Sequence, residues 1–225
     1  MLGTHHPSVA SIMVTSPVKI GALLLILLAW IGTYFPWTTT GVTAFSVNLY
    51  DLAEWSSLNP AVRSGPFPLL ATFCLRATVG LLAFRLTLQA ASSPGRTFRW
   101  TIRALALLIA IGLLPPMDFF RGAFDDPNYR QQFIVAVVSG IAILAAWRVS
   151  RVSKESAKSR VFPTICMIAN GLALVLSVVG LIIALQALGL LGLHVGLGFG
   201  AMLTLIATLL LLLMTAFSYK RQQPQ

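Results

Sequence analysis

The stretch LLATFCLRATVGLLAFRL, residues 69–86, is apolar almost throughout and carries Arg76 near its middle. A run of this length and hydropathy is typical of a helix that crosses a membrane. A charged side chain near the centre of a bilayer is costly, and such residues usually have a structural or functional role. This stretch therefore raises two questions, namely how the chain folds and what Arg76 does.

The composition of the chain indicates an integral membrane protein whose first partner is the lipid bilayer. Of its 225 residues, 57% are hydrophobic and 10% are charged, whereas soluble domains carry about 25% charged residues. So few charged side chains do not cover a water-facing surface. The net charge of +10 does not predict nucleic-acid binding, because the basic residues lie in the gaps between apolar runs and not on one exposed face.

Six apolar runs predict an all-α bundle of six transmembrane helices that forms a single domain over residues 1–225. The predicted spans are about 20–35, 67–87, 100–114, 133–147, 162–188 and 193–219. The third and fourth have short apolar cores, so Arg99, Arg103 and Arg148 are expected to extend to the interface. The first span is followed by no small-residue cleavage site, so we expect it to be retained and not removed as a signal peptide.

The basic residues predict the orientation of the bundle. In the six-span arrangement, twelve of the 16 lysines and arginines fall on one side, three fall on the other, and Arg76 lies inside a span. Positive residues are enriched in cytoplasmic loops, so both termini are expected in the cytoplasm of a plasma or inner membrane. The polybasic segment 147–160 is expected to attract anionic lipid on that side.

Arg76 shares a helix face with Thr72, and this face is expected to point into the bundle. Each end of the apolar run is about 13 Å away, further than an arginine side chain extends. The protein side chains considered as partners are Asp118 after the third span and Asn170 or Gln186 of the fifth. Backbone carbonyls, water, an anionic lipid or ligand, and a carboxylate of another protein are the alternatives. A structural role and a binding or docking role are equally open.

Small residues in the last two spans predict a helix-packing seam, because they let helix backbones approach closely in a membrane. In each span the small residues repeat at four-residue spacing. They are Gly192, Gly196 and Gly200, a doubled GxxxG pattern, in the sixth span, and Ala169, Ala173 and Ser177 in the fifth. We expect the contact to form within the molecule, and a seam between subunits is the alternative.

The two longest outer loops are predicted to contain short amphipathic segments at the membrane interface. In residues 38–66, apolar side chains recur at helical spacing, with Asp51 and Glu54 on another side. Residues 115–132 carry three phenylalanines followed by the turn sequence Asp125-Asp126-Pro127. We expect both segments to seal the bundle. Docking of an outer partner, or capping of a cavity that leads to Arg76, is the alternative.

The chain is not expected to be an enzyme or to hold a metal or cofactor. The predicted spans contain no Asp or Glu, His194 alone among the histidines, and two cysteines at depths too different for a disulfide. These residues do not form the usual redox, haem or metal sites. The predicted function is a non-catalytic subunit or assembly partner of a membrane complex, or a homo-oligomer.

The alternative function is a small transporter or channel that contacts an anionic substrate or a lipid headgroup through Arg76. A water-accessible cavity reaching Arg76 would favour it. A membrane enzyme that acts on lipids is a weaker third hypothesis.

Overall fold

The computed structural model of the chain is nearly all helical. It describes residues 9–40, 46–64, 69–91, 95–152 and 161–220. In these ranges six helices have 16 residues or more and three are shorter. The long ones are α1 (Val9–Gly32), α4 (Leu70–Ala91), α5 (Arg96–Ile111), α7 (Pro127–Val152), α8 (Val161–Leu190) and α9 (Phe199–Lys220). The short ones are α2 (Leu49–Leu58), α3 (Pro60–Ser64) and α6 (Met117–Arg121).

Four of the long helices are long and apolar enough to cross a membrane. The qualifying stretches are Leu70–Ala90, Pro127–Arg148, Val161–Leu190 and Phe199–Lys220. The apolar part of α1 is shorter, Pro17–Gly32, and α5 has 16 residues. The all-α class is therefore confirmed, and the apolar helices are compatible with an integral membrane protein. The prediction of six spans is not confirmed.

A small antiparallel sheet, which was not predicted, lies at one end of the bundle. Its central strand β1 (Thr38–Thr39) pairs with β2 (Ser46–Val47) and with β3 (Gly196–Leu197). Strands of two residues show no period-2 pattern, so the sequence carries no signal for them. We call this end, which also holds α2, α3 and α6, the sheet end. The sheet joins the chain just after α1 to the chain just before α9.

The central helix of the bundle is α4, which contains the stretch quoted above. It packs against α5, α7, α8 and α2. In the apolar stretch of α4, 72% is buried inside the protein, compared with 28% in the apolar stretch of α7. A helix surrounded by others is expected to be apolar on all sides. Arg76 therefore lies on the helix that is most surrounded by other helices.

The predicted glycine pattern does not form a helical seam. The sixth span was predicted to begin at residue 193, whereas α9 begins at Phe199. Gly192 lies in the turn after α8 with φ of 76°, a left-handed conformation that suits glycine at a helix end. Gly196 belongs to β3. Neither residue can share a helix face with Gly200, so the doubled GxxxG interpretation was wrong.

Gly200 instead packs against α1, and not against α8 as predicted. A Cβ atom at this position would meet the backbone carbonyls of Gly32 and Phe35. One turn further along α9, the Thr204 hydroxyl donates to the Ala29 carbonyl at 3.0 Å. The closest helix contact in this region is thus between the first and last helices.

The small residues of α8 are buried, and this face contacts both α4 and, through the hydrogen bond from Asn170 to Thr215, the predicted neighbour α9. The Ser177 hydroxyl lies 3.2 Å from the Thr78 hydroxyl of α4. A Cβ atom at Gly180 would meet Cys74 and Leu75 of α4. Ala169 and Ala173 are also buried. Small residues indicate that a close contact exists, but they do not indicate which helix makes it.

Candidate functional site at the sheet end

Arg76 forms the centre of a charged cluster with Glu54 and Asn128. Its Nη2 donates to Glu54 Oε2 at 3.1 Å, and its Nη1 donates to Asn128 Oδ1 at 2.7 Å and to the Asn128 carbonyl at 3.2 Å. Asn128 Nδ2 donates to the same Glu54 oxygen at 3.2 Å. The Arg76 side chain is 4% exposed and the Glu54 side chain 43%. The charge of the guanidinium is therefore balanced within the chain.

Helix α2 brings Glu54 to this position. The Asn48 side chain caps α2 by accepting hydrogen bonds from the amides of Tyr50 and Asp51, at 2.9 and 3.0 Å. Leu52, beside Glu54 on this helix, is fully buried, because α2 packs on the bundle. The acidic residue at the edge of the buried face therefore points toward α4.

The first turn of α7 supplies the third member of the cluster. Pro127 begins the helix, a position where proline is favoured because its missing N–H has no helical partner. Asp126 accepts a hydrogen bond from the Asn128 amide at 2.8 Å. This cap holds Asn128, which is almost completely buried, against Arg76. The predicted turn at residues 125–127 thus has a positioning role.

Of the partners that the sequence predicted, Arg76 binds a backbone carbonyl, that of Asn128, but its hydrogen bonds do not run to Asp118, Asn170 or Gln186. Asp118 lies in α6 and accepts backbone hydrogen bonds there from Gly122 and Ala123. Asn170 donates to Thr215 of α9 at 3.0 Å. Glu54 was missed because an acidic side chain in a loop helix was expected to face water. The signal was its place beside the apolar face of α2.

Thr72, one turn before Arg76, also contacts α7, as the shared helix face predicted. Its hydroxyl donates to the Leu69 carbonyl at 2.7 Å and lies 2.6 Å from Gln131 Oε1. Gln131 Nε2 donates to the same carbonyl at 3.0 Å. Leu69 has φ of 56°, an uncommon conformation for a residue with a side chain. These contacts hold the beginning of α4 against α7.

A pocket of about 520 Å³ opens beside the Arg76 cluster. Its lining comes from the ends of α1 and α5 and from α2, α4 and α7. It carries a formal charge of −1 because two carboxylates and one guanidinium line it. The lining residues are Tyr34, Tyr50, Asp51, Glu54, Arg76, Gly112, Leu113, Pro116, Tyr129 and Gln132. A cavity that reaches Arg76 is therefore present, and its charge is negative.

Tyrosine rings form one corner of this pocket. The centroids of Tyr34 and Tyr50 are 5.4 Å apart with 42° between the ring planes, and Trp30 packs edge-on against Tyr34 at 5.5 Å. Burial raises the pKa of Tyr50 above its ordinary value, and a hydrogen bond with Tyr34 adds to this shift. The phenol is thus neutral at physiological pH, and the pocket offers aromatic faces next to carboxylates.

A second cavity is an apolar groove of about 350 Å³ among α4, α7 and α8. None of the residues of the charged cluster lines it. The lining residues are Phe73, Ala77, Gly80, Leu81, Phe84, Ile134, Val135, Val138, Ser139, Ala142, Leu172 and Leu176. A Cβ atom at Gly80 would collide with the Ser139 hydroxyl, so the backbone of α4 lies close to α7 here.

Two arginines at the opposite end of the bundle are more buried than predicted. Arg103 was expected to extend to the interface, but its guanidinium lies 5.6 and 5.7 Å from the ring centroids of Trp100 and Trp147. Arg85, counted among the loop residues, is buried, and its Nη1 donates to Gln89 Oε1 at 3.3 Å. Part of the polybasic segment, residues 153–160, lies outside the described residues.

Within the described ranges, no three His, Cys, Asp or Glu side chains come close enough together to hold a metal ion. Comparison of the chain with protein-family models, with curated proteins and with solved structures finds no match. Any assignment of function therefore rests on the charged cluster, the pocket and the groove described above.

Proposed function

We propose that the chain is a non-catalytic, multi-pass membrane protein that works as a subunit or assembly partner of a membrane complex. In this proposal six helices cross the membrane, the sheet end faces outward, and both termini lie in the cytoplasm of a plasma or inner membrane. The four long apolar helices support the membrane location. Different features of the chain support the number of spans, the orientation and the role in a complex.

The lengths of α1 and α5 support six spans. Helical hydrogen bonds continue past α5 to Leu114, so residues 96–114 rise about 28 Å at 1.5 Å per residue, close to the ~30 Å thickness of a hydrocarbon core. Gln132, near the start of α7, donates to the Leu114 carbonyl at 3.1 Å. The end of α5 thus reaches the same level as a neighbouring span. The 24 residues of α1 rise about 36 Å.

Cysteine labelling tests the orientation, because Cys74 and Cys166 are buried and an added surface cysteine reacts first. Asp125→Cys places a thiol at the sheet end, where the native side chain is 97% exposed. Arg96→Cys places one at the exposed beginning of α5. A membrane-impermeant maleimide is expected to label the first variant on intact cells and the second only after permeabilisation. The reverse order, or labelling of both on intact cells, contradicts the proposal.

The observation that carries the role in a complex is the apolar groove among α4, α7 and α8. Small side chains such as Gly80 and Ala142 form part of its surface within the spans. Close packing at small residues is a main source of helix association in membranes. Of the four spans, α7 has the smallest buried share and offers most of its surface to a neighbour. The proposed occupant is a transmembrane helix of a different subunit.

Native mass measurement of the protein purified in mild detergent tests this role. Ala142→Phe fills the groove, whereas Ile141→Phe adds bulk at the next residue, which is exposed and lies outside the groove. We expect a companion subunit in fixed stoichiometry with the wild type and with Ile141→Phe, and its loss with Ala142→Phe. Helical circular dichroism checks that both variants fold.

A monomer carrying lipid alone, or a homo-oligomer, in the wild-type preparation contradicts the proposal. A companion subunit that Ala142→Phe retains contradicts the assignment of the groove.

A second candidate, a small transporter or channel, is favoured by the pocket that reaches Arg76. The ion pair argues against an anionic substrate, since such a substrate must displace Glu54 from the guanidinium. Val79 and Ala83, one and two turns deeper on α4, are fully buried. If the chain transports an anion through this pocket, proteoliposomes are expected to release chloride or phosphate faster than empty liposomes, and Arg76→Leu is expected to abolish the difference. Equal release with and without the protein contradicts it.

A further inference from the structure

We propose that the pocket at the sheet end binds an organic ammonium group, either a protonated amine or a quaternary ammonium. This inference shares only the pocket with the transporter or channel function proposed above. The ligand that it names is a cation, whereas that function was predicted for an anion. The inference requires neither transport nor a companion subunit.

The charges in the pocket favour a cation. The guanidinium of Arg76 is buried and its recorded hydrogen bonds run to Glu54 and Asn128. Both recorded bonds of the Glu54 carboxylate fall on Oε2, and 43% of that side chain is exposed. Asp51, one turn earlier on α2, is exposed. An entering ligand therefore meets carboxylate oxygens, while the single positive charge is already bound.

The aromatic side chains add a second, independent preference for an ammonium group. The face of an aromatic ring attracts a cation within about 6 Å of its centroid, and quaternary ammonium groups are commonly held between several such rings. Tyr34 and Tyr50 meet at an angle of 42°, and Tyr129 lines the same pocket. Two inclined rings beside a carboxylate offer two kinds of attraction to one cation.

The size and position of the pocket allow two sources for this group. Its volume of about 520 Å³ lies in the range of small-molecule sites, about 300–1,000 Å³. It opens at the end of the bundle, and in the proposed orientation it is accessible from water and lies at the level of lipid headgroups. The ligand is therefore a free small amine or the amino headgroup of a membrane lipid, and both present the same chemistry.

Calorimetric titration of the full chain in a neutral maltoside detergent tests the inference. The probe is tetramethylammonium chloride, with sodium chloride at equal ionic strength as the reference. We expect saturable binding of tetramethylammonium that Asp51→Asn weakens about tenfold, the factor for a loss of about 1.4 kcal/mol. Asp125→Asn removes an acidic residue of the sheet end outside the pocket and is expected to leave the affinity unchanged.

A matched pair of aromatic variants separates a ring contact from general attraction to negative charge. Tyr34→Leu removes a ring that lines the pocket and is expected to weaken binding several-fold. Phe35→Leu removes the next ring, which packs against Phe199 at 5.7 Å, and is expected to have no effect on affinity. Circular dichroism confirms that each variant is folded before titration.

Three results would overturn the inference. The first is the absence of a saturable heat of tetramethylammonium binding with the wild type. The second is equal affinity of Asp51→Asn and Asp125→Asn, and the third is an equal loss of affinity in Tyr34→Leu and Phe35→Leu. None of these results bears on whether native mass measurement finds a companion subunit, so failure here is distinguishable from failure of the proposed function.

Titration in nanodiscs distinguishes the two sources of the ammonium group. Phosphatidylcholine carries a quaternary ammonium, whereas a neutral glycolipid carries none. A weaker apparent affinity for tetramethylammonium in phosphatidylcholine than in glycolipid shows that the lipid headgroup enters the pocket and competes. Equal affinities show that the ligand comes from the water. Both results support an ammonium site, and binding in neither lipid contradicts it.

Discussion

Replacing Glu54 with glutamine tests whether the chain itself balances the charge of Arg76. Glutamine has nearly the same shape and keeps an oxygen that accepts the hydrogen bonds now made to Glu54 Oε2. The substitution therefore removes the negative charge and little else. It leaves a guanidinium that is 4% exposed without an opposite charge in contact.

The size of the effect follows from the burial of the two partners. Removing one partner of a fully buried ion pair costs about 3–5 kcal/mol, and exposed pairs contribute about 0–1 kcal/mol. Arg76 is buried and Glu54 is 43% exposed, so we expect an intermediate cost of about 2 kcal/mol. In proteins of 150–250 residues each kcal/mol shifts Tm by about 2–4 °C, which gives a decrease of about 4–8 °C.

A double-mutant cycle with Arg76→Leu isolates the charge interaction. Once the guanidinium is gone, Glu54→Gln is expected to cost less than about 0.5 kcal/mol, because no buried charge is left unbalanced. Thermal unfolding in one detergent, followed by circular dichroism, gives the apparent Tm of all four proteins. Asp125→Asn breaks the exposed pair with Arg130 and serves as the control without measurable effect. If Glu54→Gln lowers the apparent Tm equally in the wild-type and Arg76→Leu proteins, the reasoning is refuted.

Three further predictions concern the same end of the bundle. Gly200→Ala forces a Cβ atom onto the carbonyls of Gly32 and Phe35 and is expected to lower stability by about 1–3 kcal/mol. Gly171→Ala, with open space around it, is expected to be neutral or stabilising in the same unfolding assay. Asn48→Ala removes the cap of α2 and is expected to cost about 1 kcal/mol. Because burial raises the pKa of Tyr50, its contribution to stability is complete below pH ~10 and is lost as the pH rises above that value. Apparent Tm is therefore expected to fall less steeply above pH ~10 in Tyr50→Phe than in the wild type, and identical slopes would contradict this.

The class of fold was predictable because hydropathy is a local property. Runs such as residues 69–86 are apolar regardless of what they contact, so each of the six long helices overlaps a predicted span, although the predicted ends differ from the observed ones by 1 to 11 residues. Periodicity also placed Thr72 on the same face as Arg76. The number of helices that cross the membrane is harder to predict, since α5 has only 16 residues and reaches a sufficient length only with the turn that follows it.

The partners of Arg76 were not predictable because they depend on contacts between distant segments. Glu54 and Asn128 lie 22 and 52 residues from Arg76 along the chain, and no spacing rule relates them. The glycine pattern failed for a related reason. Four-residue spacing has a structural meaning only inside a helix, and Gly192 ends one with its left-handed backbone.

The small sheet also has a consequence for how the protein is made. Strand β1 follows the first helix, but its neighbour β3 and the helix α9 that packs on α1 lie more than 150 residues further along the chain and are translated later. The hydrogen bond between Ala29 and Thr204 spans 175 residues. During synthesis the first helix is therefore complete long before its main neighbour, α9, exists. A chain that stops before Gly196 has neither β3 nor α9, so it can form neither the third strand of the sheet nor the hydrogen bond from Thr204 to Ala29.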